Sequence, residues 1–256
     1  MIVEAKNRPI ESALRKVPEI TLGFWVIKIL ATTLGETGGD ALSMTLDLGY
    51  AVSSLIFFAI FAAAVSAQVT ATSYSRFLYW GTIIATTTLG TTVADFADRS
   101  LGIGYTGGSA LLLALLGLSF FVWRRATGSV AIDQIASRKA EMFYWVTILF
   151  SQTLGTALGD WVADTNDFGY ERGAMVFSAA LAAVAALYLI PKVPRTALFW
   201  AAFILTRPLG ATLGDLIDKP VDHGGFAIGR FAASAALAGL MLACILLLTE
   251  KKTART

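Results

Sequence analysis

The chain holds one cysteine, Cys244, and one histidine, His223. An internal disulfide and a cysteine-based metal site are thereby excluded, and no histidine cluster exists to hold zinc or copper. Cys244 lies in an apolar run and reads as a small buried hydrophobe. Charge is also scarce: 15% of the 256 residues are Asp, Glu, Lys or Arg, against about 25% in soluble domains. There is no phosphate-cradling glycine loop, no nucleophile–histidine arrangement and no basic patch for nucleic acid. These absences point away from an enzyme, although paired carboxylates keep an aspartyl chemistry within the bilayer conceivable. The first twenty residues carry Glu4, Lys6, Arg8, Glu11, Arg15 and Lys16 and lack the continuous apolar core of a signal peptide. They read as a retained cytoplasmic tail.

Apolar residues are what the chain has in excess, at 56% with a mean hydropathy of +0.67. A helix that crosses a bilayer needs about 20 mostly apolar residues. Eight segments qualify by inspection, at about 20–40, 48–69, 77–97, 105–123, 142–162, 173–191, 196–217 and 228–249. The expected fold class is an all-α membrane protein of eight transmembrane helices, arranged as four tandem helical hairpins with the odd helices forming an inner ring. The expected organisation is an N-terminal tail (1–19), one bundle (20–249, with repeats of about 20–75, 76–125, 142–192 and 195–249) and a C-terminal tail (250–256). Of the 20 Lys and Arg residues, 14 lie in the tails and in the segments before odd helices. The positive-inside rule then puts both termini in the cytoplasm, and the expected location is a bacterial inner membrane.

One pattern occurs four times with identical spacing. A Trp is followed nine residues later by Leu-Gly and, five residues past that Gly, by Asp. The copies are Trp25/Leu34-Gly35/Asp40, Trp80/Leu89-Gly90/Asp95, Trp145/Leu154-Gly155/Asp160 and Trp200/Leu209-Gly210/Asp215, and Gly49, Gly104, Gly169 and Gly224 follow nine residues after each Asp. Residues separated by four, seven or eleven positions share a helix face. Counted from each Trp, position +7 holds Thr32, Thr87, Gln152 and Arg207; position +11 holds Glu36, Thr91, Thr156 and Ala211; position +15 holds the four Asp. This polar stripe is costly in hydrocarbon unless it faces a bundle interior or a water-filled cavity. Beside it runs a ridge of small residues, Gly35/Gly39, Gly155/Gly159 and Gly210/Gly214, with Gly90/Ala94 in the second repeat. Small residues four apart let helix backbones approach closely. The Trp is expected to anchor at the interface or to pack.

Asp40, Asp95, Asp160 and Asp215 are the candidate metal ligands or proton carriers. Glu36, Thr87, Thr91, Gln152 and Thr156 would line the path. Oxygen-only donors suit hard cations such as Mg²⁺, Ca²⁺ or Mn²⁺, or protons. Against that stands a bland reading, in which each Asp is an interfacial residue or the cap of a short outer helix. Glu36 and Arg207 are each unique at their repeat position, and a gating ion pair between them is expected. Lys28, three residues past Trp25, is expected to snorkel to the interface. Helices broken at the glycines would resemble transporter sites.

These residues resemble a family of bacterial integral membrane proteins built from four tandem repeats of unknown function, the DUF347-type repeat. Each family repeat has two transmembrane segments and a characteristic tryptophan. The resemblance covers about Pro18 to Leu248. Repeat four departs at Arg207-Pro208, where the others have Thr or Gln followed by Thr. The resemblance implies a fold and a membrane location and carries no activity with it. The expected function is export of a hard metal cation, with proton coupling as one route. The alternatives are a non-transporting scaffold or sensor and an intramembrane enzyme. Expected partners are the lipid bilayer, a metal cation or proton, and further copies of the chain, with no nucleic acid. No cofactor is expected beyond the transported ion.

Overall fold

The computed structural model describes residues 16–164 and 168–248. The basic N-terminal segment through Arg15, Asp167 and the C-terminal tail lie outside the described residues. Eight α-helices follow one another, with no strand among the described residues: α1 (Leu22–Asp40), α2 (Gly49–Thr70), α3 (Arg76–Asp95), α4 (Gly104–Thr127), α5 (Arg138–Asp164), α6 (Tyr170–Leu187), α7 (Arg195–Asp218) and α8 (Arg230–Leu248). Thr21 and Ser75 cap α1 and α3 by accepting from the Phe24 and Leu78 amides, which satisfies donors that have no intrahelical partner.

The odd helices form a closed ring: α1 packs on α3, α3 on α5, α5 on α7, and α7 back on α1. The glycine ridge makes this possible. A Cβ on Gly35 would lie 2.2 Å from Thr87 Cγ2, one on Gly155 2.3 Å from Arg207 Cγ, and one on Gly210 2.2 Å from Thr32 Oγ1. A Cβ on Gly90 would lie 3.0 Å from the Gln152 backbone. In every repeat, then, the Gly of Leu-Gly receives the +7 residue of the next odd helix. The second glycine does the same one turn further on: Gly39 meets Thr91, Gly159 meets Ala211 and Gly214 meets Glu36. The odd helices run through their glycines without a break. Irregularity comes after the Asp instead, as π-helical turns at Ala41–Thr45 and Phe96–Ser100.

The even helices form an outer layer, but not as self-contained hairpins. The main partner of α2 is α3, of α4 is α5, of α6 is α7, and of α8 is α1. Each even helix therefore covers the odd helix of the following repeat, and the last covers the first. The recurring Gly after each Asp has φ of +71, +73, +81 and +80 at Gly49, Gly104, Gly169 and Gly224. That left-handed region carries little penalty only for glycine, so the position turns the chain outward to start the next element.

Five helices, α2, α4, α6, α7 and α8, are long and apolar enough to cross a membrane. Their outward faces expose Leu55, Phe58, Leu111, Leu113, Phe121, Met175, Leu240 and Leu247, among others. Contiguous exposed apolar surface of this extent is foreign to a soluble monomer. The chain is a membrane protein. The helices that miss the criterion, α1, α3 and α5, belong to the inner ring, where polar residues face protein instead of lipid.

Candidate functional site

The stripe of the odd helices lies along the ring interior in layers about 6 Å apart, the rise of four helical residues. At the Trp end the layer before each Trp is aromatic in all four copies: Phe24, Tyr79, Tyr144 and Phe199. All four are buried, and the Tyr79 and Tyr144 hydroxyls are hydrogen-bonded at 2.6 Å. Trp80, Trp145 and Trp200 are buried against them, and Trp25 is half-buried. Trp80, Trp145 and Trp200 are packing residues of an aromatic plug, and Trp25 packs at its edge against Phe24 and Phe199.

Next comes position +3, with Lys28, Ile83, Ile148 and Phe203, each fully buried. The Lys28 ammonium lies 4.3 Å from the centre of the Phe203 ring and has no hydrogen-bond partner. The expectation that it snorkels is wrong. Snorkelling needs an open path to the interface, and the aromatic layer blocks it.

Position +7 holds Thr32, Thr87, Gln152 and Arg207, all fully buried. The Arg207 guanidinium extends into the +11 layer. Its Nη2 donates to Glu36 Oε2 at 2.8 Å, to Thr91 Oγ1 at 2.6 Å, and to Thr156 Oγ1. Thr91 Oγ1 also donates to Glu36 Oε2 at 3.3 Å. One residue from each of the four repeats thus meets at one point. Ala211 leaves the fourth corner of that layer small. Helix α7 carries Pro208 inside it, and with its ring in place of an N–H, that residue makes no backbone bond to the preceding turn. A buried ion pair is held by its extra hydrogen bonds, and removing one partner strands the other charge at a cost of about 3–5 kcal/mol.

At +15 the four aspartates are buried and fall into two pairs. Arg99 joins repeats two and three, with Nε 3.0 Å from Asp95 Oδ1 and Nη2 3.3 Å from Asp160 Oδ2. Lys219 joins repeats four and one, with Nζ 2.7 Å from Asp40 Oδ2 and 3.1 Å from Asp215 Oδ1. Arg230, at the start of α8, lies 3.6 Å from Asp40 Oδ2 and 3.3 Å from Asp218 Oδ2. Five buried carboxylates (the four repeated Asp with Asp218) thus meet three bases at this end. Two groups of acids converge closely enough for one ion. Glu36, Asp160 and Asp215 each bring a carboxylate oxygen within 4.8 Å of the others, as do Asp40, Asp215 and Asp218. Asp40 Oδ1 has no hydrogen-bond partner.

The stripe therefore brings together Glu36, Thr91, Thr156 and Arg207 directly, and Asp40, Asp95, Asp160 and Asp215 through their bases. Thr87 and Gln152 line the layer beneath. Arg99, Lys219 and Arg230 were not singled out from sequence as site residues. The signal was present in the second and fourth repeats, which share Asp-x-x-Asp followed by a base: Asp95/Asp98/Arg99 and Asp215/Asp218/Lys219. An Asp and a base four residues apart sit on one helix face.

Four successive stretches of the chain, residues 23–74, 78–129, 143–193 and 198–252, match the repeat of unknown function, DUF347. The chain belongs to the DUF347 repeat family. The matched stretches coincide with the four Trp/Leu-Gly/Asp units, so the DUF347 repeat is one inner helix followed by one outer helix. No curated protein and no solved structure matches the chain.

Proposed function

We propose that this DUF347 protein is a transporter of a hard cation, such as a divalent metal ion, working as an exporter in a bacterial inner membrane. All eight helices cross the bilayer in this reading, with both termini and the aromatic plug on the cytoplasmic side. The observation that carries the proposal is the convergence of Glu36, Asp160 and Asp215, from repeats one, three and four, within 4.8 Å of one another and out of water. Arg207, Arg99 and Lys219 each reach one of these acids, but Arg99 and Lys219 are shared with Asp95 and Asp40, so the buried acids outnumber the bases and favour uptake of protons or a cation, and all-oxygen donors favour hard ions. The excess of acids over bases leaves charge for the cargo to neutralise. Lys219 and Arg99 act as tethered cations that hold the aspartates when the cargo is absent. Protons exchanged at the carboxylates would couple transport to the proton gradient.

The same ion pairs support a second reading, in which Arg99 and Lys219 are clamps that close the ring and the protein is a non-transporting scaffold. Asp160→Asn and Asp215→Asn separate the two. In proteoliposomes loaded with a divalent-cation indicator, the wild type should move at least one of Mg²⁺, Mn²⁺ and Ca²⁺. Each variant should fold and lose that flux by about tenfold or more, the loss of one charged ligand contact of ~1.5–3 kcal/mol. Absence of wild-type flux for every ion tested, together with normal growth of a deletion strain across a metal panel, would sink the transporter reading.

A further inference from the structure

The Trp-proximal half of the ring interior is built unlike the acidic half. Its charges are Lys28 and Arg207, and both are fully buried. Arg207 is matched by Glu36. Lys28 is matched by nothing: its ammonium rests on the face of Phe203, Arg207 repels it, and the nearest acid along its stripe, Glu36, is already engaged two layers away. Around this level further polar groups lack hydrogen-bond partners. They are Arg207 Nε and Nη1, both amide atoms of Gln152, and the hydroxyls of Thr87 and Ser151, all in side chains with no exposed surface. Buried polar groups in folded proteins are nearly always satisfied by protein, water or ligand. Here the unsatisfied set is rich in donors and includes a lysine whose ammonium form meets no acid within ion-pair distance among the described residues.

We infer that the +3 and +7 layers form a binding site for one small monovalent anion, held by Lys28 and by Arg207, Gln152 and Thr87 around it. The charge is set by Lys28, since Arg207 and Glu36 cancel. The size is set by the glycine ridge, which brings the four inner helices too close together for a bulky group. A halide or a small carboxylate such as formate has the required chemistry; gluconate is too large. The inference does not depend on the cation reading, which concerns the other end of the ring. The bound anion would also screen the path of a cation from the Lys28 charge.

The test is thermal unfolding of the purified chain in detergent, followed by tryptophan fluorescence at constant pH and ionic strength. Chloride, bromide or formate replaces gluconate stepwise. The wild type should gain melting temperature with a saturable dependence on the small anion. Lys28→Met, which removes the charge while keeping the stem, should fold and lose the dependence altogether. Gln152→Leu should weaken the apparent affinity by about tenfold. Asp160→Asn and Asp215→Asn should keep the anion response whatever they do to cation flux. A wild type that melts at one temperature in every salt would overturn the site, with Lys28 then neutral or hydrated. Retention of the full anion response by Lys28→Met would overturn it equally.

Discussion

Gly35 and Gly38 lie in the same helix, three residues apart, and have opposite structural roles. A Cβ on Gly35 would overlap Thr87, at 2.2 Å from Cγ2, whereas a Cβ on Gly38 would meet nothing within 4 Å. Gly35→Ala should destabilise by about 1–3 kcal/mol, the usual cost of overpacking. Gly38→Ala should stabilise by about 0.4–1 kcal/mol through the smaller entropy of the unfolded chain and the better helix propensity. Melting temperatures in detergent should move in opposite directions, and equal shifts would mean that the inner helices do not touch at the Leu-Gly position. The Gly of Leu-Gly was legible as a packing residue because four-residue spacing of small side chains is local information. That it receives the +7 residue of the next repeat was not legible, because nothing in one helix names its neighbour. Lys28 teaches the same lesson in reverse. Its distance along α1 from the interface suggested a route to water, and the aromatic layer contributed by all four inner helices closes it.

At the scale of elements, the outer helices have two faces set by different surroundings. In α4, Trp123 is buried and packs edge-on against Trp200 at 5.8 Å between ring centres, with Tyr144 of α5 at 6.3 Å. Phe121, two residues earlier, is 57% exposed. Trp123→Ala should cost about 3–5 kcal/mol, as a large aromatic removed from a packed core does. Phe121→Ala should be nearly neutral in detergent, because its side chain trades one apolar surrounding for another. Denaturant titration of the two variants checks the contrast, and comparable losses would contradict the packing of α4 on α5. The sequence marked α4 as apolar throughout and could not separate these faces. A lipid-facing leucine and a core-facing leucine satisfy the same hydropathy requirement, so the pattern that betrays the buried face of a helix in water is muted here.

The whole molecule is a ring that closes on itself, with α8 covering α1. The closest measure of that closure is Gly23, whose added Cβ would lie 3.0 Å from Leu248 Cβ. Disulfides span about 3.5–4.5 Å between Cβ atoms, so a slight shift accommodates one. Gly23→Cys combined with Leu248→Cys, in a Cys244→Ser background, should cross-link within one chain on mild oxidation. Reduction should reverse the mobility shift on a denaturing gel. Only intermolecular products would mean that repeat four does not return to repeat one. The tandem order explains the arrangement: each outer helix leans forward onto the next inner helix, and the last has only the first left to cover.

The sequence by itself determined the repeat, the layers and their chemistry. Helical periodicity is local, so the residues that share a stripe follow from counting, and so does the alternation of polar inner and apolar outer helices. It also marked the glycine that recurs nine residues after each Asp and the pairing of the unique Glu36 with the unique Arg207. The tertiary structure alone decided which stripes meet. It split the four aspartates into two pairs through Arg99 and Lys219, drew Glu36, Asp160 and Asp215 together from three repeats, and sealed Lys28 behind the aromatic plug. The reason is geometric. A carboxylate's neighbour across the ring lies 55 or more residues away along the chain, and only the close approach of four backbones over their glycines brings such groups within reach of one ion.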